Sequence, residues 1–551
     1  MAFSWKQASA CLGVALALAL LSGPAAAQKV GREWLTSFQY GFELKYPDKW
    51  DLIPPQEEFE QGGVIFTAEG RGLSTRVGNS TTTVKPYLLI LRLEEDNDVV
   101  TRGEDEGTGG LSGRIRRESK RPAIQDLLEK KVRGILPGQS ELRDFREKRE
   151  DDRKIKKIEA KREEFSAFTG NYDISYTTWT IPMDDYDVCL VFSVPTQHYK
   201  KWGKAFDACA KTFRFVEREG LPELKDGIYS SYEDKLAYHQ AKAASTPGWQ
   251  VVEVPSNRYL IVTSSEDRKF LKQLIPRIEN SRNVFETDFP PSRVIDHVSI
   301  VRVCKDQDEF ISFAKVGGNV GGYFSPTTTE LVLYDSKNYD RNWTWVVVSH
   351  EAFHQYCHFL FDESEAHRWF DEGTGDYYGM FEFRGKKAIP QKSLGGISRL
   401  SDLKTQLRQA EKDPSSWTPL AKLIRMNHQQ WQSKFHYPQS WGIIYMLRQG
   451  MLGKVSKKYW EEEWENIIPN YVHTLHTGFL EAYKEVEEER REKAASQGKE
   501  LSEDDLKINR FDLTKDQKDK IWKQAIAASW GTVDILDFEA RWKLYIAKGI
   551  R

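Results

Sequence analysis

Along the first part of the chain, hydrophobic and polar residues alternate in short runs. In FELKYPDKW, Phe42, Leu44 and Tyr46 alternate with polar residues ahead of a Pro47-Asp48 turn, the period of a half-buried strand. GVIFTA, PYLLILRLE, YTTWTIP and VCLVFSV read as further strands, and HYKKWGKAFDACAKTF as a helix leading to a last short strand ending at Val216. This order predicts an N-terminal α+β domain over residues 28–218. Residues 219–247 contain Gly220-Leu221-Pro222 and few large apolar groups before Tyr229, which predicts a linker that gains some helix. A second domain over 248–551 starts near Trp249. There WQVVEVPSNRYLIVTSS reads as paired strands, DRKFLKQLIPRIENSRNVFETDF as an amphipathic helix, and VIDHVSIVRV and ELVLYD as strands flanking a Gly-rich turn, GGNVGGYFSP. WTWVVVSHEAFHQYCHFLF is apolar enough for a buried helix, and from about residue 369 the pattern is mainly helical.

Three stretches are dominated by charge. GEDEGTGGLSGRIRRESKRP separates two strands of the first domain, and EVEEERREKAASQGKELSEDD reads as an exposed helix with a flexible insert. In LRDFREKREDDRKIKKIEAKREEF the acids interleave with the bases, which favours a solvated helix over a polyanion-binding segment.

Composition narrows the function classes. A chain of 551 residues exceeds one hydrophobic core, and 17 Trp, 23 Tyr and 28 Phe argue against general disorder. With 80 Lys and Arg against 82 Asp and Glu, no net charge steers the chain to nucleic acid or an anionic membrane. Lys6, the apolar run CLGVALALALL and Ala25-Ala26-Ala27 match a signal peptide cut after Ala27, so a secreted or periplasmic location is expected. Cys11 precedes the apolar run, the wrong order for a lipid anchor, and no later segment approaches a membrane span. Four cysteines remain after Ala27, with no zinc-site spacing. Cys189 with Cys209 is the favoured disulfide, and two buried free thiols are the alternative.

Candidate chemistry centres on His350-Glu351-Ala352-Phe353-His354. Residues four apart stand on one helix face, so both imidazoles reach one zinc ion while Glu351 points to its open side as a general base. Glu372 follows His354 by eighteen positions, and a helix-loop-helix hairpin would return its carboxylate to the histidines as a third ligand. Gly373 and Gly375 would permit close contact with the metal-bearing helix. Asp376, one turn beyond Glu372, is the candidate carboxylate that orients a ligand histidine; a surface salt bridge is its alternative role. His358 lies eight residues from His350, about 12 Å along a helix, too far for the same ion. Cys357 falls on another face and His367 needs an unusual loop.

HEAFHQ followed by WFDEGTGDYYG resembles the gluzincin metallopeptidases, and most of all an uncharacterised bacterial gluzincin family that pairs HExxHQ with W-x-x-E-G. The resemblance covers roughly residues 249–450. It implies His350, His354 and Glu372 as zinc ligands, Glu351 as general base and Asp376 as histidine partner. Gluzincin aminopeptidases carry G-x-M-E-N upstream, whereas GGYFSP here lacks the acid, which puts aminopeptidase activity in doubt. In SKFHYPQSWGIIYML, Tyr437 and then His436 match the Tyr or His that related enzymes direct at the oxyanion; the alternative is that both cap and pack a helix. The N-terminal strand-helix-strand pattern resembles PsbP-like domains.

The fold class implied is α+β: an N-terminal α+β domain, a zincin-like catalytic domain with a small mixed sheet plus active-site helices, and a mainly helical C-terminal region. The expected function is an exported zinc-dependent metallohydrolase, a peptidase acting on a peptide or protein substrate, with Zn2+ as cofactor and no nucleic-acid partner. The rival reading is a non-catalytic cell-envelope scaffold that retains a structural zinc. Oligomeric state is not legible in the sequence.

Overall fold

A computed structural model describes residues 29–550 apart from 57–58, 61, 95–123, 125–127, 129–141, 339, 395–396, 432, 503–505, 507 and 509. The expected signal segment 1–27 and the Gly-rich charged stretch 103–122 lie outside the described residues. The chain has mixed helix and strand content, several sheets and a helical C-terminal region. It divides into two compact units, one running to Leu221 with Ser245–Pro247 added, the other comprising Pro222–Ala244 and Gly248–Arg551.

The first unit contains β1 (Val30–Ser37), β2 (Phe42–Pro47), β3 (Asp51–Ile53), β4 (Val64–Glu69), β5 (Leu73–Val77), β6 (Ser80–Val84), β7 (Tyr87–Leu93), β8 (Arg143–Ile155), β9 (Ile158–Phe168), β10 (Asp173–Pro182), β11 (Asp187–Pro195), α1 (Tyr199–Ala210) and β12 (Arg214–Phe215). Its main sheet has the antiparallel order β3-β4-β7-β11-β10-β9-β8, beside a three-stranded β1-β2-β12 sheet and the β5-β6 hairpin. All nine residues of β11 are buried, which explains its continuous apolar run. Val188, Leu190, Phe192 and Val194 join one core with Phe206 and Cys209 of α1, while Cys189 and Val191 join the core on the opposite face.

That alternation corrects the favoured disulfide. Cys189 and Cys209 are free and buried in cores on different faces of the sheet, as the alternative had it. The charged run also differs from expectation: it is the β8-β9 hairpin, not a helix. Opposite charges spaced along it pair across strands, Lys161 with Glu150 at 2.9 Å and Lys154 with Glu159 at 3.0 Å. Ile155, Ala160 and Phe165 are buried, which anchors the hairpin to the cores. Arg162 is buried too, held by Asp207 at 2.8 Å and by Glu164.

The second unit begins with α2 (Tyr232–Ala244), so much of the expected linker is a helix of this unit. β13 (Gln250–Glu253), β14 (Tyr259–Thr263), α3 (Arg268–Asp288), β15 (Ser299–Cys304), α4 (Gln307–Ala314), β16 (Gly322–Phe324) and β17 (Leu331–Tyr334) follow. The sheet order is β13-β14-β15-β17-β16, parallel in its centre and antiparallel at both edges. Edge strand β16 lies inside the stretch expected to be only a Gly-rich turn. Three residues carry no readable period, and β16 is defined by backbone pairing with β17 instead. Helix α3 runs through the exposed Pro276, and its buried Phe270, Leu274, Ile278 and Phe285 offset the lost backbone bond.

Helices α5 (Arg341–Leu360) and α6 (Arg368–Gly379) come next, then the β18 (Phe381–Arg384) and β19 (Lys387–Pro390) hairpin. The remainder is α7 (Arg399–Ala410), α8 (Leu420–Leu423), α9 (Ser433–Met451), α10 (Ile467–Ser496), α11 (Lys515–Trp530) and α12 (Ile535–Leu544). No described helix is long and apolar enough to cross a membrane.

Two consecutive left-handed residues, Asp362 (φ 48°) and Glu363 (φ 65°), turn the chain between α5 and α6. Such backbone at a side-chain-bearing residue costs on the order of 1 kcal/mol or more, so it persists only where neighbours hold it. Here the Asp362 carboxylate pairs with Arg293 and with His476 at 3.0 Å, and its carbonyl accepts from the Tyr483 hydroxyl at 2.9 Å. The Glu363 carboxylate accepts from the Tyr229 hydroxyl.

Candidate metal centre

Helix α5 starts at Asp340, whose carboxylate accepts the Asn342 N–H at 2.9 Å, and fourteen of its residues are buried. His350 and His354 stand one turn apart on it, and α6 lies across them because small residues allow the approach. A Cβ on Gly375 would sit 3.1 Å from His350 Nδ1, and one on Gly379 would sit 3.2 Å from the Val346 carbonyl. Gly373 does not share this role: its missing Cβ would meet the Ser440 carbonyl of α9 at 2.7 Å. Residues 375 and 379 share a helix face and 373 does not, which is the reason for the correction.

Three ligand-type atoms converge. His350 Nε2 and His354 Nε2 are 3.0 Å apart, and Glu372 Oε2 lies 3.3 and 3.4 Å from them. Atoms bonded at about 2.05 Å to a tetrahedral zinc are about 3.3 Å apart, so the trio has the spacing of one face of such a site. The second ring nitrogens are occupied: His350 Nδ1 faces Asp376 Oδ1 at 3.2 Å, and His354 Nδ1 faces Asp371 Oδ1 at 2.7 Å. In their neutral forms, with both Nδ1–H groups donated to carboxylates, the two imidazoles present Nε2 lone pairs beside the buried Glu372 Oε2. Protons fill this cluster when the imidazoles are charged, and three converging acceptors that a metal ion can take over when they are neutral make a donor set that fits such an ion.

Arginines hold the carboxylates in turn. Arg399 donates to Asp376 through Nε at 2.7 Å and Nη2 at 3.1 Å, and Arg368 Nη1 donates to Glu372 Oε1 at 2.5 Å. In the metal-free protein burial pulls the His350 pKa down, but Asp376 and Glu372 outweigh it and raise it to about 9. His354 is likewise raised, with Asp371 and Glu372 overcoming burial. Glu372 is pushed far below its ordinary value by the two imidazoles against the opposing effect of burial.

The trio opens onto a cavity of about 470 Å³. Glu351 lines it, raised above its usual carboxyl value by burial, and its Oε2 accepts the Phe324 N–H of edge strand β16 at 3.0 Å. Tyr437 also lines it, with its ring centroid 6.1 Å from that of His350. Burial, then the charges of Glu372, Asp376 and Glu351, keep its phenol protonated far above the ordinary range, which leaves a firm hydrogen-bond donor. His436 turns elsewhere, its Nε2 3.1 Å from Thr418 Oγ1 and its ring against Trp431.

Of the residues not favoured as ligands, His358 and Cys357 line the same cavity, whereas the His367 ring packs at a tilt against Trp522 and its Nδ1 lies 2.9 Å from the Tyr471 hydroxyl. Asp371, Arg368 and Arg399 join the site without having been expected from the sequence. Asp371 directly precedes Glu372, and a carboxylate at that place was the available signal; the arginines carried none.

No protein-family model matches the chain, and no curated protein does. Three solved structures bear a weak likeness. Cyanobacterial PsbP (CyanoP) from Synechocystis sp. PCC 6803 is 13% identical, with a TM-score of 0.23 over 36% of this chain and 99% of that one. PA94 of Pseudomonas aeruginosa, a protein of unknown function, is 10% identical, with a TM-score of 0.16 over 27% of this chain and 99% of that one. A protein from Bacteroides thetaiotaomicron VPI-5482 is 11% identical, with a TM-score of 0.20 over 67% of this chain and 88% of that one. At these scores none of the three decides fold or activity.

Proposed function

We propose that the protein is an exported zinc-dependent hydrolase of the gluzincin type, cutting peptide bonds, and that its second unit is a zincin-like catalytic domain. The observation that carries this reading is the convergence of His350 Nε2, His354 Nε2 and Glu372 Oε2 on one point beside a cavity. The mixed sheet with an antiparallel edge strand along the HExxH helix supports the domain reading.

His350, His354 and Glu372 would hold the zinc ion, which would supply Lewis acidity and make a water acidic enough to be deprotonated near neutrality. The protein residues around it have separable tasks. Glu351 takes a proton from the attacking water and returns it to the leaving amine. Tyr437 donates a hydrogen bond to the oxygen that gains negative charge. Asp371 and Asp376 fix the ring orientations, and Arg368 and Arg399 hold the Glu372 and Asp376 carboxylates in place.

The test is a pair of variants measured for metal content and for chelator-sensitive cleavage of a peptide library. Glu351→Gln is expected to keep stoichiometric zinc and lose hydrolysis, and His354→Ala to lose both. Full activity in Glu351→Gln would overturn the assignment.

A further inference from the structure

We propose that Arg510 anchors a carboxylate of the substrate, so that the preferred peptides carry a free C-terminal carboxylate or an acidic side chain close to the bond that is cut. This deepens the hydrolase reading and rests on it.

The cavity carries two arginines of different standing. Arg368 is committed, with Nη1 on the Glu372 carboxylate. Arg510 also lines the cavity, its side chain only 16% exposed and its guanidinium over the Phe511 ring, yet among the described residues its ion pair is with Glu365 at 3.7 Å, beyond hydrogen-bond range. Glu365 is itself 72% exposed and free to swing into water. A guanidinium has five donors in a planar fork, and one held in a cavity wall by a loose surface pair is matched to an incoming carboxylate. Glu365 stands in for that carboxylate while substrate is absent.

The location gives the register. His358 lines the cavity one turn beyond His354, about 6 Å along α5 by the helical rise. Burial, with the charge of Arg510 acting in the same direction, pushes the His358 pKa down to about 4, so it is neutral and adds no competing charge. Arg510 pairs with Glu365 in the loop that follows α5, which puts it at the end of the cavity beyond His358. An extended peptide advances about 3.3 Å per residue, so a carboxylate held there lies one or two residues from the bond under attack. Both sources of a carboxylate meet that distance, the chain end and an Asp or Glu side chain.

The experiment uses four sequence-matched fluorescent peptides, with free or amidated C-termini and with Glu or Gln next to the cleaved bond. Binding is read by anisotropy on zinc-loaded full-length Glu351→Gln protein, with and without Arg510→Gln. Cleavage is read on otherwise wild-type protein with and without Arg510→Gln, and the thermal midpoint and zinc content of the Arg510→Gln variants are checked against their parents. A charge-assisted pair of this kind predicts about 10- to 100-fold tighter binding for the carboxylate peptide over its neutral twin, collapsing toward one in Arg510→Gln. The free-acid against amide pair and the Glu against Gln pair show which carboxylate is held. Chelator-sensitive cleavage with no carboxylate preference, or a preference untouched by Arg510→Gln in a folded, zinc-loaded variant, would overturn this inference and leave the hydrolase reading standing. Neither binding nor cleavage of any peptide would overturn both.

Discussion

Asp371 Oδ1 lies 2.7 Å from Nδ1 of His354, so the residue immediately before Glu372 orients the second histidine while Asp376, four residues after Glu372, orients the first. One helix thus supplies a ligand-type carboxylate and the supports of both imidazoles.

Asp371→Asn and Asp376→Asn are each expected to weaken zinc binding by about 10- to 100-fold while leaving the fold intact, because an amide is a poorer acceptor for the ring N–H. Competition with a calibrated chelator measures this. Affinity equal to that of the parent in both variants would remove these carboxylates from the site.

Gly373 and Gly375 should separate stability from metal binding. The Gly373→Ala Cβ would press on the Ser440 carbonyl, a backbone atom, and is expected to cost about 1–3 kcal/mol in urea unfolding. Gly375→Ala presses instead on the His350 ring, and its expected effect is chiefly a loss of zinc affinity. Equal losses of stability from the two substitutions would contradict the assigned helix faces.

Acid should destabilise the second unit before its carboxylates titrate. Burial is the largest cause in pushing His239 and His358 down to about 4, His367 to about 3 and His297 to about 2. These values lie below the unfolded value near 6.5, so the four rings are neutral when folded and take up protons on unfolding. Their stabilisation is complete above about pH 6.5 and is lost as pH falls below it, at up to about 1.4 kcal/mol per pH unit per histidine. Urea titrations of chelated protein at pH 7.5, 6 and 5 test this; in that form His350, raised instead of lowered, adds no loss below pH 6.5. A flat profile over this range would contradict the burial of these rings.

Charge in the β8-β9 hairpin should matter only where it is buried. Arg162→Ala removes a buried guanidinium from Glu164 and from Asp207, which keeps the Trp179 N–H, and is expected to cost about 1–3 kcal/mol. Lys154→Ala removes an exposed pair and is expected to cost under about 1 kcal/mol. Denaturant unfolding of the two variants makes the comparison.

What the sequence disclosed follows from how local each cause is. HExxH spacing depends only on the helical repeat, so the facing of His350 and His354 was readable, and the strands buried on both faces showed themselves as apolar runs. The β8-β9 hairpin reads as a helix in the sequence because alternating charges satisfy helix neighbours and cross-strand neighbours alike; only the sheet that β9 joins through β10 decides between them. Asp371 was missed because its pairing depends on how α6 is rotated against α5, which Gly375 and Gly379 set by permitting contact along one face. Arg399, on a third helix, reaches Asp376 through tertiary packing alone.

The four described cysteines are all buried and unbridged. No covalent link among them constrains the described residues, whose cores are held by packing alone. Residues 28–551 expressed without the leader in a reducing cytoplasm, without oxidases or isomerases, are expected to reach the same fold.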